Sequence, residues 1–275
     1  MDSGNSALDA CRRLWNNWTP RGGKHQCQDC PAHWSNREDF PDNAGKRQSS
    51  YGHRPWYGDG DLTDVEVVIL GHEPGPASIG GESESDTNWT QKPFDEARNP
   101  RVSEVPHDAG SLELTIPLFQ TVGDAFNTYW TQAKKCNEIT GEQSSLNEKA
   151  EHQCVGIGAG NDGYLSKELS AVDPDYLIGL GTDVHRLLNK VYEIESLGGT
   201  FSREISSGKS KSGLRALNIE NESFAYIPTS HPARGVPGMT TEHLELEIPN
   251  RMSKSERYYE VFAEDFVKQV TTGAI

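Results

Sequence analysis

Apolar residues are scarce in this chain. They make up 34% of its 275 residues, and no run of them approaches the roughly 20 that a bilayer-spanning helix requires. That shortage excludes a spanning helix within these residues. The opening stretch "MDSGNSALDACRRLW" also lacks the apolar centre of a secretory signal, so the sequence predicts a cytoplasmic protein with no membrane partner. Basic residues are outnumbered as well, 26 Lys and Arg against 41 Asp and Glu, which leaves a formal net charge of -15. A deficit of that sign ordinarily argues against nucleic acid, because binders of polyanions carry a basic footprint. Chains adapted to strong salt are the exception, since they spread acids over the whole surface for solubility. The scattered Asp and Glu, the few lysines and the low apolar content fit a halophilic protein of the haloarchaeal kind; an ordinary acidic cytosolic enzyme is the other reading. Cysteines number only five. In a reducing compartment they read as metal ligands or free thiols rather than disulfides.

What is present suits one α/β domain spanning 1–275, long enough to bury a core. Residues 1–60 are loop-rich, with a short helix over 7–18. "VEVVIL" (65–70) reads as a buried strand, because a short β-branched apolar run bounded by turn residues suits a parallel sheet covered on both faces. A long polar loop follows over 77–111, of the length that is functional or without fixed structure. Next come a helix over 114–128, a strand over 129–134 and helices over 144–154 and 162–172. "DYLIGLG" (175–181) is the clearest later strand, and the helix after it opens on Thr182 as its cap. "SFAYIPTSHP" (223–232) is a further strand, and an amphipathic helix over 254–270 ends the series. The alternation predicts a doubly wound, mainly parallel sheet with its site at the carboxyl ends of the strands. Two of those ends carry unusual chemistry: Gly71-His72-Glu73-Pro74-Gly75 and Thr229-Ser230-His231-Pro232.

Cys27 and Cys30 form a Cys-x2-Cys pair, and Cys136 and Cys154 form a distant second pair. Two such pairs suit a tetrahedral sulfur site holding zinc or an iron-sulfur cluster. Unconnected buried cysteines are the alternative, and His25, His33 or Cys11 are substitute ligands. A shared metal would staple the loop-rich N-terminal segment, which supplies two of the ligands, onto the chain that follows "YWTQAK".

In this order the motifs resemble the uracil-DNA glycosylase superfamily, specifically its iron-sulfur branch of the family 4 and family 5 type. "CQDC" precedes a strand ending in Gly-x-x-Pro-Gly. "YWTQAKKC" and "HQC" look like the segments that bring the third and fourth cluster cysteines, "DPDYLIGLGTDVHRLL" is similar to the family's strand-Leu-Gly-helix unit, and "IPTSHPAR" looks like its His-Pro motif. The resemblance covers about residues 27–235. It implies a three-layer fold and a structural 4Fe-4S cluster on Cys27, Cys30, Cys136 and Cys154, with zinc as the other occupant. It also implies removal of uracil or a related deaminated base from DNA, without a lyase step, by a monomer.

Breaking an N-glycosidic bond builds positive charge on the sugar and negative charge on the departing base. An enzyme therefore needs a carboxylate on one side and a donor on the other. Glu73 is assigned to the sugar and its water, and His231 to the base oxygen. By the resemblance, Gly71, His72, Pro74, Gly75 and Ser230 line the substrate site, Phe94 stacks on the extruded base, and Gln132 stands where the family reads the base edge with Asn. Pro232 and Arg234 form the wedge that fills the vacated position in the duplex. Lys209, Lys211 and Arg215 lie in a locally basic stretch that suits phosphate contacts, although a solvated hairpin explains it equally. Two other functions stay open. One is a non-catalytic iron-sulfur protein of the same fold that binds nucleic acid, and the other is a hydrolase of free nucleosides. His72 and Glu73 both depart from the commonest forms of the motif, as does Gln132.

Overall fold

The computed structural model describes residues 3–18, 58–73, 101–104, 110–135, 147–156, 163–194, 201, 205, 210–220, 222–232 and 236–275. In chain order they form helix α1 (Ser3–Trp18), strand β1 (Val67–Gly71), helix α2 (Ile116–Ala125), strand β2 (Thr128–Gln132), and helices α3 (Asn147–Val155) and α4 (Tyr164–Val172). Then come strand β3 (Tyr176–Leu180), helix α5 (Thr182–Val191), strands β4 (Leu217–Asn218) and β5 (Ala225–Thr229), and helices α6 (Val236–His243) and α7 (Lys254–Thr271). The strands join in the order β2-β1-β3-β5-β4, all parallel except β4, which runs antiparallel to β5 at the edge.

The side chains of these strands serve two cores. Val68 and Leu70 join Tyr129, Leu177 and Tyr226 on one face, where Cys11, Val155, Leu165 and Leu187 of the covering helices α1, α3, α4 and α5 meet them. Val67 and Ile69 join Trp130, Ile178 and Ile227 on the other, against Phe119 of α2 and Phe262 of α7. Burial on both faces is why a strand such as β1 is apolar at every position. Cys11, the cysteine outside the two pairs, is a core residue at 4% exposure.

Element types follow the sequence closely, and the differences have local causes. Leu114 and Thr115 belong to a 3-10 turn, so α2 begins at Ile116 with Pro117 in its first turn. Thr182 is the first residue of α5 rather than its cap. The cap is Gly181 at φ 94°, because the chain turns from β3 into the helix with no spacer and only glycine adopts that backbone freely. Strand β4 and helix α6 went unforeseen: two residues are too few to show a period, and Pro237 and Gly238 weaken the helical signal of α6.

From β1 the chain steps to β2 on one side, then back past β1 to β3 on the other. The helices after β1 and β3, α2 and α5, lie on opposite faces. The carboxyl ends of β1 and β3 are therefore the topological switch point, the place where sheets of this kind form a crevice.

A charged brace ties α3 to α5 beside that switch point. Glu151 accepts from Arg186 at 2.9 and 2.8 Å and from Lys190 at 2.8 Å. Burial by itself raises the carboxyl, but these hydrogen bonds outweigh it and hold the group at about 2, against an ordinary 4.5. A carboxyl depressed on folding stabilises the native state above its unfolded value, and that stabilisation fades as pH falls from about 4.5 through about 2. We expect the urea midpoint to fall over that window in the wild type and to be flatter in Glu151→Gln. The difference is about 1–2 kcal/mol once screening around the exposed Arg186 is allowed for.

Candidate active site

The strand register assembles the site. Gly71 pairs with Gln132, Leu70 with Gly179, and Leu180 with Thr229, so the last residues of β2, β1, β3 and β5 form one row across the sheet. Pairing continues one step past β1 and β2, because Ala133 N–H donates to Gly71 O and Lys134 N–H to His72 O, both at 2.8 Å. Glu73 and His231 each stand two residues beyond this row, on strands that flank β3. Two strand spacings separate their chains, roughly 10 Å.

Alternation sorts the neighbouring side chains between the two faces. Gly71, Glu73, Gln132 and Lys134 share the α2/α7 face. Lys134 Nζ donates to Glu73 Oε2 at 2.7 Å, the two side chains being 2% and 19% exposed. One row below, the Gln132 amide lies across Gly71. A Cβ built on Gly71 would stand 2.2 Å from Gln132 Oε1, so a side chain here would push the amide from this position. Gln132 is 6% exposed, and its Oε1 has no hydrogen-bond partner among the described residues. It is an acceptor without a donor, a costly state unless something supplies one.

His72 turns to the other face, toward the first turns of α5. Burial lowers its imidazole from 6.5, while Glu73 and Asp183 pull the other way and Lys134 and Arg186 reinforce the burial. A neutral ring follows. Its Nε2 is buried with no hydrogen-bond partner among the described residues.

Helix α7 fixes the end of β5. Tyr258 and Thr229 share a hydroxyl hydrogen bond of 2.6 Å, and Tyr259 OH donates to Ser230 O at 2.7 Å. Ser230 is fully buried, and its hydroxyl meets that of Thr240 at 3.1 Å. Ser230 thus braces the turn instead of lining open space. His231 is half-buried and lies over Gly181, whose N–H donates to Thr229 O at 2.7 Å. A Cβ at Gly181 would stand 2.5 Å from His231 Cβ. Pro232 is buried. Because β4 is antiparallel, half-buried Arg215 just before it lies toward this edge, whereas exposed Lys211 adjoins Ser212, whose N–H and hydroxyl both donate to Asp265 further along α7.

On the α4 side of β2 a second lysine is buried. Lys135 is paired with Glu168 Oε2 and donates to Thr131 Oγ1 at 2.7 Å, while Glu168 Oε1 accepts from Tyr129 OH at 2.6 Å and from Thr131 at 3.1 Å. The backbone of Lys135 hydrogen-bonds Cys154, whose thiol burial pushes upward. Cys154 therefore rests against the backbone of Lys135, the residue that precedes Cys136 in the sequence. Among the described residues no group of three His, Cys, Asp or Glu is placed to hold a metal ion.

Cys27, Cys30, Cys136, Pro74, Gly75, Phe94, Lys209 and Arg234 lie outside the described residues, as does most of the N-terminal segment expected to be stapled by metal. Sequence reasoning missed Lys134, Lys135 and Gly181. The signal for the lysines was available, since "YWTQAKK" carries strand alternation past Gln132 and places consecutive lysines on opposite faces. A polar groove of about 400 Å³, lined by residues such as Asp61, Arg101 and Asp124, lies at the amino end of β2 and contributes nothing to this edge. Among the described residues no helix is long and apolar enough to cross a membrane. Compared with known proteins, the chain matches no protein-family model and no curated protein.

Proposed function

We propose that this chain is a DNA glycosylase of the iron-sulfur uracil-DNA glycosylase type, hydrolysing the bond between deoxyribose and uracil or a related deaminated base. The observation that supports it most is the common edge: a carboxylate, an amide and an imidazole at the carboxyl ends of β1, β2 and β5, around the switch point of a parallel sheet. Glu73 faces the sugar, stabilises its developing positive charge and orients the attacking water. His231 donates to the base oxygen as negative charge gathers there, and the orphaned amide of Gln132 takes the polar edge of the extruded base. Phe94 stacks on that base, Pro232 and Arg234 wedge the duplex, and Lys209, Lys211 and Arg215 meet phosphates.

Cys27, Cys30, Cys136 and Cys154 would hold a 4Fe-4S cluster whose part is structural. It would tie the N-terminal segment to the β2 and α3 region, and the Lys135 backbone bond to Cys154 fits that ligand set. The protein acts as a cytoplasmic, salt-adapted monomer. In strong salt, phosphate contacts weaken, so affinity leans on stacking and wedge insertion.

The test is incubation with a uracil-containing oligonucleotide followed by alkali. Strand breakage is expected in the wild type, with a loss of about 10²–10⁴-fold in Glu73→Ala or His231→Ala. The purified protein is expected to carry the visible absorbance of an iron-sulfur centre. A colourless, zinc-loaded protein would count against this branch. The pairing of Glu73 with Lys134 favours one other reading, a non-catalytic nucleic-acid-binding module, because the cation offsets the carboxylate. Tight binding of the same oligonucleotide without breakage would select that reading.

A further inference from the structure

We infer that Lys134 is a positioning residue of this site, one that holds Glu73 by a single carboxylate oxygen and leaves the other free for the reacting water and sugar. The inference rests on the reading of Glu73 as the carboxylate that serves the sugar.

Three features carry it. The contact is one-sided: Lys134 Nζ meets Glu73 Oε2 at 2.7 Å, and Glu73 Oε1 takes no hydrogen bond among the described residues. An ammonium is a point donor and occupies one oxygen, whereas a guanidinium fork would engage both. A lysine at this position therefore anchors the carboxylate without consuming it.

The anchor is also rigid. Lys134 belongs to the extension of β2, which is bonded to the extension of β1 by Ala133 N–H to Gly71 O and Lys134 N–H to His72 O. Both partners of the ion pair thus ride on paired strands, and the amide of Gln132 fills the row beneath them. A glutamate has three side-chain torsions to lose. Fixing one oxygen against a buried cation removes most of that freedom before substrate arrives, which is how a site keeps a group within the tolerance that chemistry demands.

Finally, burial without function would be a poor reason for the pair. Two charges removed from water are often no more stable than apolar residues of similar size. A lysine 2% exposed, bound to a carboxylate at the sheet edge that carries the other site residues, is better explained by what it does to that carboxylate.

The experiment compares the wild type, Lys134→Met, Glu73→Gln and the double variant in single-turnover base release from a uracil-containing oligonucleotide. Circular dichroism and melting serve as folding controls. Lys134→Met should be about 10²-fold slower, the usual consequence of displacing a reacting group by about 1 Å, with affinity for an uncleavable uracil analogue in DNA unchanged. The double variant should be no slower than Glu73→Gln, since a residue acting only through Glu73 has nothing left to position. If Lys134→Met folds poorly, the comparison of Glu73→Gln with the double variant still decides, because the latter has neither charge left unpaired. Wild-type speed in Lys134→Met, or a double variant slower than Glu73→Gln by the full Lys134→Met factor, overturns the inference alone. No base release by the wild type overturns the functional reading and this inference together.

Discussion

Glu168→Leu is expected to cost about 3–5 kcal/mol of folding stability, the effect of stripping one partner from a buried ion pair. Lys135 and Glu168 are 1% and 4% exposed in their side chains, so the surviving ammonium would have no water to turn to. Two further donors would lose their acceptor, Tyr129 OH and the Thr131 hydroxyl. In a chain of this size the melting temperature should fall by roughly 10 °C. Adding Lys135→Met should recover much of the loss, because an apolar pair of similar volume replaces the ionic one without leaving a charge behind. Thermal and urea denaturation of the two variants check this. An unchanged midpoint in Glu168→Leu would mean that the network is not closed from solvent. The brace ties α4 to the end of β2, where Lys134 and the backbone that bonds Cys154 are set.

Gly181→Ala should damage the site twice over, by straining the backbone and by displacing His231. Gly181 sits at φ 94° and ψ 175°, a region that is close to glycine-only and costs about 1–3 kcal/mol for other residues. The added Cβ would also meet His231 Cβ at 2.5 Å and its Cα at 3.4 Å. Those atoms sit at the root of the side chain, so relief requires moving the whole histidine. On the functional reading, a displacement of about 1 Å lowers base release about 10²-fold. Single-turnover kinetics and melting read the two effects separately. A Gly181→Ala/His231→Gly double variant should be no slower than His231→Gly itself, because the imidazole is already gone and so is the Cβ that the new methyl would meet. Full activity in Gly181→Ala would remove His231 from the chemistry.

The strands were legible because parallel strands covered on both faces must be apolar throughout, and "VEVVIL", "DYLIGLG" and "SFAYIPT" satisfy that rule over a few residues. So were most of the helices, from their period and caps. Strand β4 and helix α6 were not, since two residues show no period and a Pro-Gly pair hides a helical one. Within the site, the sequence could nominate Glu73, Gln132 and His231 from motif order, yet it had no means of pairing them. Nor did it reveal Lys134 as the partner of Glu73, because that contact joins residues 61 apart whose side chains meet only when β1 and β2 align.

Left to itself, the linear chain determined what is local: alternating elements, an acidic surface, the chemistry gathered at two strand ends, and the spacing of its cysteines. Register and face belonged to the folded molecule alone, because the hydrogen bonds between strands decide which residues stand opposite one another, and a shift of one position would send every one of these side chains to the other side of the sheet.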